Sequence, residues 1–189
     1  KDCDLVIEAI AERMDWKRDL YTKVAPYLGE HTIFASNTSG LSINQLAEAF
    51  PEALRHRFCG IHFFNPPRYM HLVELIPCQA SDADMLDDLE AFLVTYLGKG
   101  VIRAKDTPNF IANRVGVYSI MAVLDEMIRQ GFTPTEVDQM TGKAIGHASS
   151  ATFRTSDLVG LDVTAHVVSN LYPAIPEDED RETFKIPEV

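Results

Sequence analysis

FCGIHFFNPPRYMHLVELIPC, residues 58–78, sets two apolar runs, Phe58–Asn65 and His71–Pro77, on either side of Pro66 and Pro67. Proline fixes its own φ and has no N–H to give a central ladder, so the break predicts a chain reversal. If the runs fold back antiparallel about Arg68, His62 and Glu74 fall opposite each other, each six residues from that centre. Cross-strand neighbours on one face lie roughly 5 Å apart, close enough for an imidazole to donate one N–H to a carboxylate. Such a carboxylate orients the ring and fixes its tautomer, which is how a general acid/base is prepared. A second reading stays open: a histidine in an apolar run is more often a hydrogen-bonded core residue, and Glu74 in LVELIP would then face solvent. Spacing alone does not choose between them.

Upstream of the hairpin the pattern alternates. Asp4–Ile10 (DLVIEAI) is a near-continuous apolar run, which predicts a parallel strand covered on both faces. Met14–Leu28 is a helix by the spacing of Trp16, Leu20, Val24 and Leu28, with Gly29 as its stop. Thr32–Ala35 is the next strand and Ser42–Phe50 the next helix, where Ser42 and Gln45 have capping-box spacing. Strand, helix, strand, helix, strand is the rhythm of a doubly wound sheet.

Downstream, Ala83–Leu97 carries Leu86, Leu89, Leu93 and Leu97 on one stripe, and Val101–Ala104 is a last short strand. From Lys105 onward the pattern is helix and loop, so two domains are expected, residues 1–104 and 105–189. Thr107 as N-cap with Pro108 at the first helical position predicts a helix running to about Arg129, with Phe110, Val117, Met121, Leu124 and Ile128 inward. Pro134–Gly142 and Thr164–Leu171 are further helices, and Pro176–Glu182 (PEDEDRE) is expected as a solvated loop.

At 189 residues and 46% hydrophobic composition the chain can bury a core in one or two domains. No apolar run reaches the roughly 18 residues of a membrane span, and the net charge of −11 argues against nucleic acid or an anionic membrane as partner. Cys3, Cys59 and Cys78, an odd set without metal-type pairing, fit a reducing, cytoplasmic compartment. No metal is expected: His56, His62, His71 and Glu74 have no zinc spacing on one element, and His147 and His166 are structural.

GIHFFNPP followed by LVELIP resembles the signature of the L-3-hydroxyacyl-CoA dehydrogenases. DLVIEAIAERMDWK, FASNTSGLSI, KDTPNFIANR and DLVGLD stand in the order that family shows, from Asp4 to Asp162. The resemblance implies an α/β fold, a partial Rossmann-type doubly wound sheet, followed by an all-α C-terminal domain. It implies NAD as cofactor, an acyl-CoA substrate in fatty-acid β-oxidation, and a homodimer built through the helical domain. His62 and Glu74 then become the proton-handling pair, and Ser39 and Asn113 the groups on the substrate oxygen. Glu12, Lys17, Asn37 and Asn65 match positions on the nicotinamide side of NAD.

Taken alone, Glu12 and Lys17 also fit a solvated pair, Asn37 an Asx turn, Ser39 a turn hydroxyl and Asn113 a backbone-satisfied amide. No G-x-G-x-x-G occurs in the chain, although the family carries that phosphate loop upstream of DLVIEAI. The expectation is a fragment that starts midway through the cofactor domain and, lacking the pyrophosphate grip, folds in large part without being active. HASSATFRTSDLVGLD replaces the Pro-x-Gly-Pro-Phe run of common members and resembles a longer bacterial subfamily, in which a hydratase/isomerase-like portion follows. Two rivals remain: a related dehydrogenase of hydroxy acids without CoA, and a non-catalytic helical module that builds a dimer.

Overall fold

Period-two alternation along five strands decides what each face of the sheet receives. The computed structural model describes residues 3–187, so the expected domain ends at Lys1, Asp2, Glu188 and Val189 lie outside the described residues. Its strands are β1 (Leu5–Glu8), β2 (Ile33–Ser36), β3 (Phe58–Phe63), β4 (Leu72–Pro77) and β5 (Gly100–Arg103), in the spatial order β1-β2-β3-β4-β5. The first three are parallel, β4 runs antiparallel to β3, and β5 parallel to β4.

One face receives Val6, Phe34, Phe58 and Ile76, packed with Tyr21 of α1 (Met14–Val24) and with Ile43 and Leu46 of α2 (Ile43–Ala47). The other receives Ala35, Cys59, Ile61, Val73 and Leu75 beneath Met85, Leu86, Leu89 and Leu93 of α3 (Ala83–Thr95). Gly60 lets α2 pack closely on β3, since a Cβ there would stand 2.7 Å from Ile43 Cδ1 and force that side chain to move. Burial of Cys59 on the α3 face, with the Cys78 thiol nearby, pushes its thiol up to about 12, so it serves as a small apolar side chain.

The hairpin pairs Cys59 with Pro77 and His62 with Glu74, the register that symmetry about Arg68 predicts. At the edge, β1 is parallel as expected but only partly covered: Ile7 is 39% exposed. Of the expected stripe, Leu20, Val24 and Leu28 pack against the core, and only Trp16 departs from it. Trp16 lies outside, under the Arg13 guanidinium, while Lys17 and Tyr21 are buried. Polar groups go inward here because a buried carboxylate, Glu8, receives both of them. Pro26 removes an N–H, and the chain tightens into the 3-10 turn Ala25–Tyr27 instead of continuing α1 to Leu28.

Ser42 caps α2 as expected, its hydroxyl accepting from Gln45 N–H. The larger share comes from Asp106, whose carboxylate accepts from the N–H groups of Ile43 (2.8 Å) and Asn44 (2.9 Å) and from the Ser42 hydroxyl. Helix α2 stops at Ala47, short of the expected Phe50.

Contacts divide the chain into two compact units, residues 1–111 and 112–189, whereas the pattern change placed the boundary at Lys105. The expected helix start at Thr107–Pro108 is overturned. Helix α4 runs Ala112–Gln130, because Asn109 (φ 60°) and Phe110 (φ 52°) are left-handed and Phe110 is buried in the first unit.

In the second unit, α4, α5 (Pro134–Thr141), α6 (Phe153–Val159) and α7 (Leu161–Ala174) are all helical, α6 without having been foreseen. Thr133 and Glu136 form a full capping box on α5. Val117, Met121, Val168, Leu171, Ile175 and Phe184 make the core, with Leu124 against it and Ile128 43% exposed. PEDEDRE is largely exposed, as expected of a solvated loop, but it is tethered. Asp178 pairs with Arg114, Asp180 accepts from the Tyr118 hydroxyl (2.5 Å), and Glu182 accepts from the Tyr172 hydroxyl (2.9 Å), so the segment straps α4 and α7. Among the described residues no helix is long and apolar enough to cross a membrane.

Candidate active site

Because β1, β2 and β3 are parallel, their C-terminal ends share one edge of the sheet, where open α/β folds place ligands. Glu8 ends β1, Ser36 ends β2, and His62 is the last residue but one of β3. Their side chains lie on the α1 face, since the α3 face takes the alternate positions.

His62 Nδ1 stands 2.7 Å from Glu74 Oε2, and both residues are buried, at 4% and 0% exposure. A carboxylate only accepts, so Nδ1 carries a ring proton, and in the neutral ring Nε2 keeps its lone pair. Glu74 Oε1 accepts from the N–H of Ile111 at 2.9 Å. Each carboxylate oxygen thus has its own donor, which fixes the plane of the group. The imidazole packs against the rings of Phe64 (centroids 4.5 Å) and Phe110 (5.9 Å), an apolar setting that leaves it few alternative orientations.

Beside the dyad, the loop after β2 is held by a carboxylate from the loop after β1. Glu12 Oε1 accepts from the Thr38 hydroxyl (2.5 Å), from Ser39 N–H (2.8 Å) and from Gly40 N–H (3.2 Å). Ser39 is exposed on this loop. Asn37 ties the loop to β3, its Oδ1 accepting from Phe63 N–H at 3.0 Å. Asn65 is exposed just past β3, before a cis bond to Pro66. Asn113 belongs to the second unit, in the first turn of α4.

Glu12 and Lys17 are not a solvated pair. Glu12 is exposed, but Lys17 has 0% exposure. Its Nζ donates to Glu8 Oε1 (2.6 Å) and to Ile10 O (3.3 Å), and stands 3.7 Å from Glu12 Oε2. Glu8, which sequence reasoning passed over, is the hub. It also accepts from Ile10 N–H (2.7 Å), the Tyr21 hydroxyl (2.6 Å) and the Ser36 hydroxyl (2.9 Å).

Burial alone would raise the Glu8 carboxyl. The Lys17 ammonium, then Tyr21, Ile10 and Ser36, outweigh burial and hold it below the ordinary carboxylate value. Burial, and then the Glu8 charge, push the Tyr21 phenol far above its ordinary value, so it stays a donor. The available signal was an acid inside an apolar strand, which is rarely buried unless paired.

The family described as 3-hydroxyacyl-CoA dehydrogenase, NAD binding domain, matches residues 1–107, and 3-hydroxyacyl-CoA dehydrogenase, C-terminal domain, matches residues 110–188. A probable 3-hydroxyacyl-CoA dehydrogenase of Deinococcus radiodurans is 48% identical over 188 residues, 98% of this chain and 54% of that protein. One of Bacillus subtilis, with the same description, is 45% identical over 187 residues, 99% of this chain and 24% of that protein. The crystal structure of (S)-3-hydroxybutyryl-CoA dehydrogenase PaaH1 from Ralstonia eutropha superposes with a TM-score of 0.82 at 32% identity, over 96% of this chain and 62% of that one. The chain therefore spans about half the length of the first relative and a quarter of the second.

Proposed function

The chain belongs to the 3-hydroxyacyl-CoA dehydrogenase family, and on that premise we propose that the complete protein oxidises an L-3-hydroxyacyl-CoA to the 3-oxoacyl-CoA with NAD. The observation that carries this reading is the buried 2.7 Å contact between His62 and Glu74. It favours a proton-handling role over a purely structural helical module.

His62 Nε2 takes the proton of the 3-hydroxyl, and Glu74 stabilises the imidazolium that results. Ser39 donates to the reacting oxygen, in the manner of electrostatic stabilisation at developing charge, and Asn113 keeps the substrate-orienting role that the family resemblance implies. The exposed Glu12 carboxylate and Asn65 amide and the half-buried Asn37, gathered at the C-terminal edge of the parallel strands, fit the amide end of a nicotinamide, and Lys17 supports Glu12 from below. NAD, when bound, supplies the hydride acceptor; the protein supplies orientation and proton transfer.

The test is turnover of the complete protein with 3-hydroxybutyryl-CoA against free 3-hydroxybutyrate. NADH formation with the thioester at a kcat/KM at least about a hundredfold higher is expected. Comparable values for the free acid would instead favour a dehydrogenase of hydroxy acids without CoA.

The reading extends to a homodimer through the second unit. Val115 of α4 is 59% exposed, and Leu158, Val159 and Leu161 are 73%, 58% and 62% exposed, more apolar surface than one small helical unit covers. Light scattering of the complete protein at micromolar concentration should give the mass of two copies; the mass of one would refute the dimer. Three free thiols, two of them buried, are in keeping with a cytoplasmic protein. Thiol titration of freshly purified native protein should find Cys3 reduced; a mixed disulfide there would count against that compartment.

A further inference from the structure

Asn109 and Phe110 occupy the left-handed region in succession, at φ 60° and 52°. Asparagine tolerates that region, but a phenylalanine there is a genuine outlier, kept only where its surroundings demand it. The local signals at Thr107 and Pro108 favour starting a helix at once, which would have avoided the strain. Instead the chain makes three placements with three consecutive residues. Asn109 Oδ1 lies so close to Gly40 that a Cβ there would stand 2.8 Å from it, next to Ser39. The Phe110 ring packs on His62 (5.9 Å) and is 2% exposed. The Ile111 N–H binds Glu74 Oε1. Asn109 Nδ2 is moreover buried without a hydrogen-bond partner, a second cost borne at the same spot.

We propose that this turn is a clamp on the dyad, with Phe110 as its positioning residue. The left-handed pair at 109–110 presses the Phe110 ring onto the imidazole and delivers the Ile111 N–H to Glu74. Oε1 is thereby occupied and Oε2 is left to His62 Nδ1. The clamp holds His62 in one rotamer and one tautomer, with Nε2 as the base. It rests on the reading of His62 and Glu74 as the proton-handling pair.

The experiment uses the complete protein with Phe110→Leu, Asn109→Val and Asn109→Gly, and Glu74→Gln as reference. Leucine keeps the core apolar but loses the ring contact. Valine resists a positive φ without touching the core, and glycine accepts it freely. Expected for Phe110→Leu and Asn109→Val is a fall in kcat of about tenfold, as small misplacements at a reacting group produce, with KM for NAD little changed. The ¹⁵N signals of the His62 ring should shift from a single Nδ1–H tautomer to a mixture, and Asn109→Gly should rescue what Asn109→Val removes. If Phe110→Leu does not fold, the Asn109 pair carries the same readout. Unchanged kcat and ring signals in the clamp variants, beside an impaired Glu74→Gln, would overturn the clamp and leave the dyad standing. An unimpaired Glu74→Gln would overturn the dyad itself.

Discussion

Glutamine at position 74 should lower the turnover of a 3-hydroxyacyl-CoA by the complete protein roughly 10²–10³-fold, the range that general acid–base catalysis contributes. Affinity for NAD should stay nearly constant. The amide keeps the shape of the side chain, and its oxygen can still accept from Nδ1. What it lacks is charge: an imidazolium forming against a neutral amide, in a site with both residues buried, has lost the counter-charge that Glu74 supplies. The amide can also turn its NH₂ toward Nδ1, which would move the ring proton to Nε2 and remove the base. Steady-state kinetics with separate titration of NAD checks this. Equal losses in turnover and cofactor affinity would mean that Glu74 supports the fold of the site rather than the proton transfer.

The second large effect concerns Glu8. Glu8→Gln should destabilise the first unit by roughly 3–5 kcal/mol, because the buried Lys17 ammonium loses its 2.6 Å partner and keeps only the more distant Glu12 carboxylate. Trp16 is the chain's single tryptophan and sits on α1 next to Lys17, so its fluorescence in urea follows this unit. Replacing both partners, Glu8→Leu with Lys17→Met, should cost less than the sum of the single changes, since no unpaired charge remains.

The pH dependence has a definite sign. The Glu8 carboxyl is held below its ordinary value of 4.5, so its contribution is complete above that pH and is lost as pH falls through the depressed value. The urea midpoint of the wild type should therefore hold steady above about pH 5 and decline below it. Glu8→Gln should show a shallower decline. A cost within about 0.5 kcal/mol, as for an ordinary surface change, would show that Lys17 finds another partner or leaves the core.

The hairpin was legible from residues 58–78 because two constraints agreed there. The proline pair marked the reversal, and symmetry about Arg68 set His62 opposite Glu74, the register the hairpin adopts. The polar part of the α1 interior was not legible, since Lys17 and Tyr21 look like outer-face residues until Glu8 is seen to receive them from a different strand. The same holds for the start of α4. Capping signals at Thr107 and Pro108 are local, whereas the pull on Phe110 comes from a core assembled from α1, α2 and the sheet. PEDEDRE has the composition of a solvated loop, and its anchors on Arg114 and Tyr118 lie more than sixty residues upstream, at separations of 64 and 62. Of the expected site residues, Ser39, Asn37 and Glu12 meet around one loop, an arrangement that depends on β1 and β2 being parallel neighbours.

The central claim is that His62 and Glu74 act as one unit in moving the proton. The direct measurement is the single-turnover rate of NAD reduction by 3-hydroxybutyryl-CoA at saturating cofactor, in His62→Gln, Glu74→Gln and the double variant of the complete protein. If the pair is a unit, His62→Gln should be slowed by about 10²–10⁴-fold, and the double variant should be no slower than His62→Gln alone. Losses that multiply in the double variant, or a His62→Gln rate within about threefold of wild type, would contradict it.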